Sequence, residues 1–89
     1  ADEAERIGWV PEAVIPEELM TRVTALASRL AGQPPHAMKA AKETVLLAWD
    51  VPVDQGISFE NKWFAILCGS SEKAEGLRAL HEKRPPVFD

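Results

Sequence analysis

Three residues, His36, Cys68 and His81, have side chains of the types that bind metals or act as nucleophiles. A zinc site or a catalytic triad needs several such groups brought together, and these three fall on different predicted helices without ligand spacing. We therefore predict no metal site and no catalytic residue in this sequence. Cys68 lies in an apolar run, which predicts a buried, unreactive thiol, whereas His81 is expected on a solvated helix face.

Neighbouring carboxylates could act as a general acid and a general base, and such pairs are plentiful, including Glu17 with Glu18 and Glu72 with Glu75. That role requires apolar surroundings that raise one of the two pKa values. These pairs are expected on polar helix faces, so we interpret them as solvated surface groups.

A basic pair, Lys83 and Arg84, closes the last predicted helix, just before Pro85, Pro86 and a short apolar tail. Its simpler interpretation is that cations at a helix C-terminus offset the macrodipole, by about 0.3–1 kcal/mol each. In the second interpretation, Lys83 faces an anionic ligand whose apolar part is held by neighbouring residues. Residue types alone favour the first and leave the second open.

The elements that would position these residues are mainly helices. Ala, Glu and Arg favour helix at the start of the sequence, and Gly8 is placed to cap that segment. Residues 9–16 form at best a short edge strand, because proline cannot donate to a sheet ladder. The predicted helices cover residues 1–6, 17–31, 35–50, 53–69 and 72–83.

Apolar spacing predicts the buried side of each helix. In the helix over 17–31, apolar residues recur at steps of four, three and four, which is typical of one buried stripe. The segment from Trp63 to Cys68 is apolar on all sides, so every side of it must be covered. The predicted inward residues are Leu19, Val23, Leu26 and Leu30, then Met38, Ala41, Val45 and Ala48, and finally Leu77 and Leu80.

Composition narrows the classes of function. The 89 residues carry 14 acidic and 10 basic side chains, a net charge of −4, which argues against a nucleic-acid partner. A single cysteine excludes an internal disulfide and suits a reducing compartment. No segment approaches the roughly 18 apolar residues that span a bilayer, so we expect no membrane partner. We expect a cytoplasmic protein, with the mitochondrial matrix as the alternative.

The order of several segments resembles a known family. The stretches ADEAERIGWV, VIP, QPPHAMKAAKE and SEKAEGLRALHEKRPPVF are similar to the C-terminal part of the crotonase superfamily, the enoyl-CoA hydratases and isomerases. The resemblance spans essentially the whole sequence. The positions that match the closing pattern of that family are Ser71, Glu72, Glu75, Gly76, Ala79, Glu82, Lys83, Arg84, Pro86 and Phe88.

The resemblance implies a mainly α fold, the C-terminal helical, trimerisation-type domain of the crotonase fold. Residues 17–89 would form that domain, and residues 1–16 would be a remnant of the α/β spiral core. The parent would add water to a 2-enoyl-CoA, although isomerase, dehalogenase or hydrolase activity fits equally. In this family an oxyanion hole and acidic residues upstream perform catalysis, so a chain that starts inside the domain should be inactive alone.

The resemblance also implies partners and two site residues. The substrate would be a coenzyme A thioester, with no further cofactor, and the parent would be a homotrimer or hexamer. If another subunit or the core covers one face of the segment from Trp63 to Cys68, this chain alone should leave that face exposed. Lys83 would approach the phosphate end of coenzyme A bound in an adjacent subunit. Phe64 would line the acyl pocket.

Two other classes of function compete with this one. The 89 residues could be a complete helical assembly module without catalysis, which an intact mass exceeding this chain by more than a hundred residues would exclude. An acyl carrier would need an Asp-Ser-Leu-type attachment site at a helix start, whereas the sequence has Gly69, Ser70 and Ser71 there.

Overall fold

The computed structural model describes residues 1–89 and contains helices but no strand. The predicted mainly α class is confirmed, since 70% of the residues are helical. The chain divides into two compact units, Ala1–Leu30 and Ala31–Asp89. The helices are α1 (Asp2–Arg6), α2 (Pro16–Ala31), α3 (Pro35–Leu47), α4 (Val53–Cys68) and α5 (Ser71–Glu82).

The first unit holds α1 and most of α2. Gly8 follows α1 with φ of 77°, a left-handed conformation that glycine adopts without steric penalty. The Glu5 carboxylate then accepts the N–H of Ala13 at 2.9 Å, which ties the following segment back to α1. The predicted edge strand over 9–16 is wrong. Prolines remove backbone donors there, and no other strand is present to pair with the segment.

Helix α2 is apolar on one face only. Pro16 occupies its first position, which its missing N–H and fixed φ favour, and Glu17 and Glu18 follow in the first turn. Both glutamates are exposed, as expected for solvated carboxylates. The predicted stripe is largely open to solvent, since its four residues are 43–50% exposed: Leu19, Val23, Leu26 and Leu30.

In the second unit, α3 packs against α4. The predicted inner face of α3 is wrong by one position: Met38 is 39% and Val45 65% exposed, whereas Ala40 is only 3% exposed. Apolar residues occur on two adjoining faces of α3, so spacing alone did not decide which of them meets α4. The inner face consists of Ala37, Ala40, Thr44 and Leu47.

Helix α4 turns one apolar face inward and leaves another open. Phe59 and Trp63 are half-buried and meet edge to face with ring centroids 6.5 Å apart, a favoured aromatic geometry. Phe64 and Ile66 are 69% and 62% exposed, which confirms that part of the all-round apolar segment is uncovered in this chain. Cys68 is also exposed, so the prediction of a buried thiol is wrong.

Helix α5 follows α4 after a short turn. Ser70 caps it, because its Oγ accepts the Lys73 N–H at 3.2 Å. The predicted inward residues Leu77 and Leu80 are instead 57% and 75% exposed, and Ala79, at 1%, is the buried apolar residue of the helix.

Candidate functional site

The end of α5 places Lys83 in an unusual backbone conformation. The helix ends at Glu82, one residue earlier than predicted, and Lys83 follows with φ of 55° and ψ of 44°. Its N–H donates to Leu80 O at 3.3 Å, and the Arg84 N–H donates to Ala79 O at 3.0 Å. This is a Schellman C-cap, in which the left-handed residue is usually glycine. A side chain there costs about 1–2 kcal/mol through contact between Cβ and the following carbonyl oxygen.

Arg84 turns back along α5. Its Nη1 and Nη2 donate to the two oxygens of Glu75 at 3.0 and 2.8 Å, a bidentate pair. Its Nε donates to Glu82 at 2.6 Å. A planar guanidinium matches a carboxylate in this geometry, and the pair is charge-assisted. The guanidinium is therefore engaged within the chain.

Glu75 connects α5 to the tail that follows it. Besides Arg84, it accepts the Val87 N–H at 3.0 Å and lies 3.4 Å from Arg78 Nη1. Its side chain is only 15% exposed, so the expectation of a solvated carboxylate is wrong. The hydrogen bonds from Arg84, and then that from Val87, lower the pKa of Glu75 to about 2. At neutral pH this carboxylate is ionised and is an acceptor only.

Lys83, by contrast, is exposed and forms no ion pair. Two adjacent cations thus have separate environments: Arg84 fastens the tail, and the Lys83 ammonium remains available to an anion from outside the chain. Macrodipole compensation does not require the left-handed conformation, because a cation elsewhere in the last turn would serve equally.

The second carboxylate predicted to be solvated, Glu72, lies against the start of α3. It is 9% exposed and accepts the N–H groups of His36 and Ala37 at 2.8 and 3.2 Å. The His36 ring Nδ1 also lies 2.8 Å from its Oε1. Burial raises the pKa of Glu72, but the hydrogen bonds from His36 and Ala37 outweigh burial and hold that pKa below its ordinary value.

The position of Glu72 has a structural explanation. Pro34 precedes α3 and provides no side-chain cap, so the first N–H groups of α3 lack a local acceptor. The carboxylate from α5 supplies it and also suits the positive end of the helix macrodipole. The uncapped start after Pro34 was a sequence signal for a distant acceptor, and our sequence interpretation missed it.

The two predicted site residues lie apart. Phe64 lines an apolar groove of about 290 Å³ between α3 and α4, beside Trp63 and Leu67. None of the residues lining that groove belongs to α5 or to the tail where Lys83 lies. The chain therefore presents an exposed cation and an apolar groove as two separate features.

The remaining candidate residues do not come together to form a site. His81 is exposed, as predicted, and no group of three or more His, Cys, Asp or Glu residues is arranged to hold a metal ion. None of the five helices has the length and apolar character needed to cross a membrane.

Comparisons with known proteins agree on one family. The enoyl-CoA hydratase/isomerase family matches residues 1–89. A protein named "Probable enoyl-CoA hydratase, mitochondrial" from Dictyostelium discoideum is 35% identical over 88 residues, which cover 99% of this chain and 32% of that protein.

Solved structures agree in fold. A crystal structure of subunit I of an enoyl-CoA hydratase from Geobacillus kaustophilus superposes with a TM-score of 0.89 at 46% identity, over 100% of this chain and 35% of that one. An enoyl-CoA hydratase from Bacillus anthracis gives a TM-score of 0.92 at 28% identity, over 99% and 34% of the respective chains. The chain spans about a third of the length of the relatives it matches.

Proposed function

Since the chain belongs to the enoyl-CoA hydratase/isomerase family, as its resemblance to the crotonases predicted, we propose that it forms the C-terminal helical part of an enzyme that adds water to a 2-enoyl-CoA thioester. The names of its relatives support hydration over the other reactions of the superfamily. Residues outside this chain would supply catalysis, so the 89 residues alone would be inactive.

In this proposal, Lys83 binds the phosphate end of coenzyme A. The observation that carries it is the left-handed backbone at Lys83, where glycine would be less strained, together with a side chain that has no partner within the chain. Strain of this kind persists where the side chain is needed and its surroundings hold the backbone in place. An exposed ammonium group suits a phosphate brought by a ligand in an adjacent subunit.

Phe64 would line the acyl pocket in the same enzyme. Phe64 is 69% exposed and borders an apolar groove, so it is open to contact with an acyl chain or with the body of another subunit. The coenzyme A thioester is the substrate, and the proposal includes no further cofactor.

The exposed apolar faces support assembly into a homotrimer or hexamer, with residues 17–89 as the oligomerising part and 1–16 continuing a core. Burying apolar surface contributes about 25 cal/mol per Å², so helices with half-exposed leucines favour association. The stripe on α2 and the outer face of α4 are the surfaces concerned. The proposed compartment is the cytoplasm, with the mitochondrial matrix as the alternative.

The test uses the full-length protein purified from its source or expressed from the complete gene. Its intact mass should exceed that of this chain by more than a hundred residues. Hydration of crotonyl-CoA is then followed by the loss of ultraviolet absorbance of the conjugated thioester. A full-length protein that does not hydrate any 2-enoyl-CoA would contradict the proposed reaction.

Lys83→Ala tests the proposed contact. We expect it to raise KM for crotonyl-CoA about 3- to 10-fold, as for loss of a solvent-exposed charge-assisted contact, and to leave kcat within about twofold. Lys73→Ala is the matched control, because Lys73 is also an exposed lysine on α5, at its opposite end. Equal KM values for the two variants would show that Lys83 does not bind the nucleotide.

A further inference from the structure

We propose that Glu75 is the positioning residue for Lys83: by fastening Arg84 and the Val87 N–H to α5, it fixes the left-handed turn and so the direction in which the Lys83 ammonium points. The proposal rests on the proposed function, in which that ammonium binds a phosphate of coenzyme A.

The backbone of Lys83 needs an external constraint. A lysine with φ of 55° is in a sparsely populated region, and a free tail would let it return to more favourable conformations. Such a return would change the direction of both the side chain and the residues that follow. The Schellman hydrogen bonds from Lys83 and Arg84 hold one side of the turn.

Glu75 supplies the constraint on the other side. Its oxygens accept two N–H groups of Arg84, immediately after Lys83, and the N–H of Val87, three residues further along. The tail is therefore fixed at two points by one carboxylate that belongs to the helix. Backbone and side-chain donors on both sides of Pro85 and Pro86 converge on it, and the two prolines limit the freedom of the connecting backbone.

The Glu75 carboxylate is better shielded from solvent than that of Glu82, the other acidic partner of Arg84. The Glu75 side chain is 15% exposed, whereas that of Glu82 is 48% exposed and contacts only the Nε of Arg84. Water and salt weaken an exposed pair more than a shielded one. Arg78 also touches Glu75, but it lies within α5 and forms no hydrogen bond or ion pair with the tail.

The experiment measures KM and kcat of the full-length enzyme with crotonyl-CoA and with crotonyl-pantetheine, which lacks the phosphate-bearing nucleotide. Glu75→Gln keeps the size of the side chain but loses the bidentate, charged acceptor. We expect KM for crotonyl-CoA to rise about 3- to 10-fold with kcat within about twofold, and no change for crotonyl-pantetheine. Glu43→Gln is the matched control, because it breaks an exposed ion pair with Lys39 on α3.

A double-mutant cycle separates positioning from a general structural role. If Glu75 acts through Lys83, adding Glu75→Gln to Lys83→Ala produces no further rise in KM. A further rise by the same factor, or an equal effect on crotonyl-pantetheine, overturns the proposal. If Glu75→Gln does not fold, Arg84→Lys makes the same test, since it keeps the charge and loses the bidentate geometry.

The two proposals fail in different ways. A normal KM in Lys83→Ala overturns the contact with coenzyme A and the positioning role together. A raised KM in Lys83→Ala with a normal KM in Glu75→Gln overturns the positioning role alone.

Discussion

Replacing Lys83 with glycine should slow local opening at the end of α5 while weakening substrate binding. Lys83 has φ of 55°, where an L-residue other than glycine costs about 1–2 kcal/mol. Glycine removes that cost but raises the conformational entropy of the unfolded chain, which offsets about 0.4–1 kcal/mol. With the middle of each range, the net stabilisation expected for Lys83→Gly is about 0.8 kcal/mol.

Amide hydrogen exchange is the appropriate assay, because it reports local opening. The relevant amides are those of residue 83 and Arg84, which donate to Leu80 O and Ala79 O. Since about 1.4 kcal/mol corresponds to a factor of ten, these amides should exchange about 2- to 5-fold more slowly in Lys83→Gly. Mass spectrometry of peptides from the end of α5 in the full-length protein would measure the change.

Lys83→Ala is the control for this prediction. It also removes the ammonium but keeps the Cβ that makes the left-handed conformation unfavourable, so exchange should stay close to that of the unmodified protein. Both variants should raise KM for crotonyl-CoA to the same extent. Faster exchange in the glycine variant, or equal exchange in the two variants, would refute the reasoning that the backbone at Lys83 is strained.

Three further predictions concern α5 and the residues at its two ends. Ser70→Ala should lower the free energy of unfolding by about 1 kcal/mol in urea denaturation, because the Lys73 N–H loses its acceptor, whereas Ser70→Thr should retain most of the stability. Gly76→Ala should raise the free energy of unfolding by about 0.5–1 kcal/mol, since a Cβ at this position meets nothing within 4 Å. A lower free energy of unfolding would instead indicate a close neighbour of Gly76 in the assembled protein. Because the pKa of Glu75 is lowered from 4.5 to about 2, its stabilisation is complete above pH 4.5 and is lost as the pH falls towards 2. The Val87 amide NMR shift should follow that change in the unmodified protein and not in Glu75→Gln.

Helix positions were largely predictable from the sequence, because the signals are local. Pro35 at the first position of α3 and Ser70 before α5 mark helix starts through their own backbone and side-chain chemistry. The left-handed Gly8 after α1 is of the same kind. Each signal operates within a few residues, so no knowledge of tertiary contacts was needed.

The buried faces were less predictable, since apolar spacing identifies a face without identifying its partner. On α3 the large residues Met38 and Val45 stay exposed, and the small Ala40 is buried. On α5 the leucines at 77 and 80 are exposed, and Ala79 is buried. A hydrophobic pattern that serves contacts outside the chain cannot be told from one that serves contacts within it.

The prediction that Glu72 and Glu75 are solvated was wrong for a different reason. Glu72 and Glu75 lie three residues apart on one helix and have the composition of a solvated face, yet each binds a separate distant segment. Glu72 reaches residues 36 and 37, and Glu75 reaches residues 84 and 87. The uncapped start of α3 indicates that an acceptor is needed, but which carboxylate supplies it depends on how the helices pack.

The order of the two cations at the end of α5 follows from their chemistry. Arg84 meets two carboxylate oxygens at once, which a planar guanidinium can do and a lysine ammonium cannot. Lys83 lies in the left-handed turn, and its compact charge on a flexible stem is exposed to solvent. Exchanging the two residues would put a lysine ammonium where a planar guanidinium with two donors is needed, and it would leave the tail without its bidentate contact. The fixed tail and the proposed phosphate contact are thus consequences of a single turn, in which the arginine holds the backbone that presents the lysine.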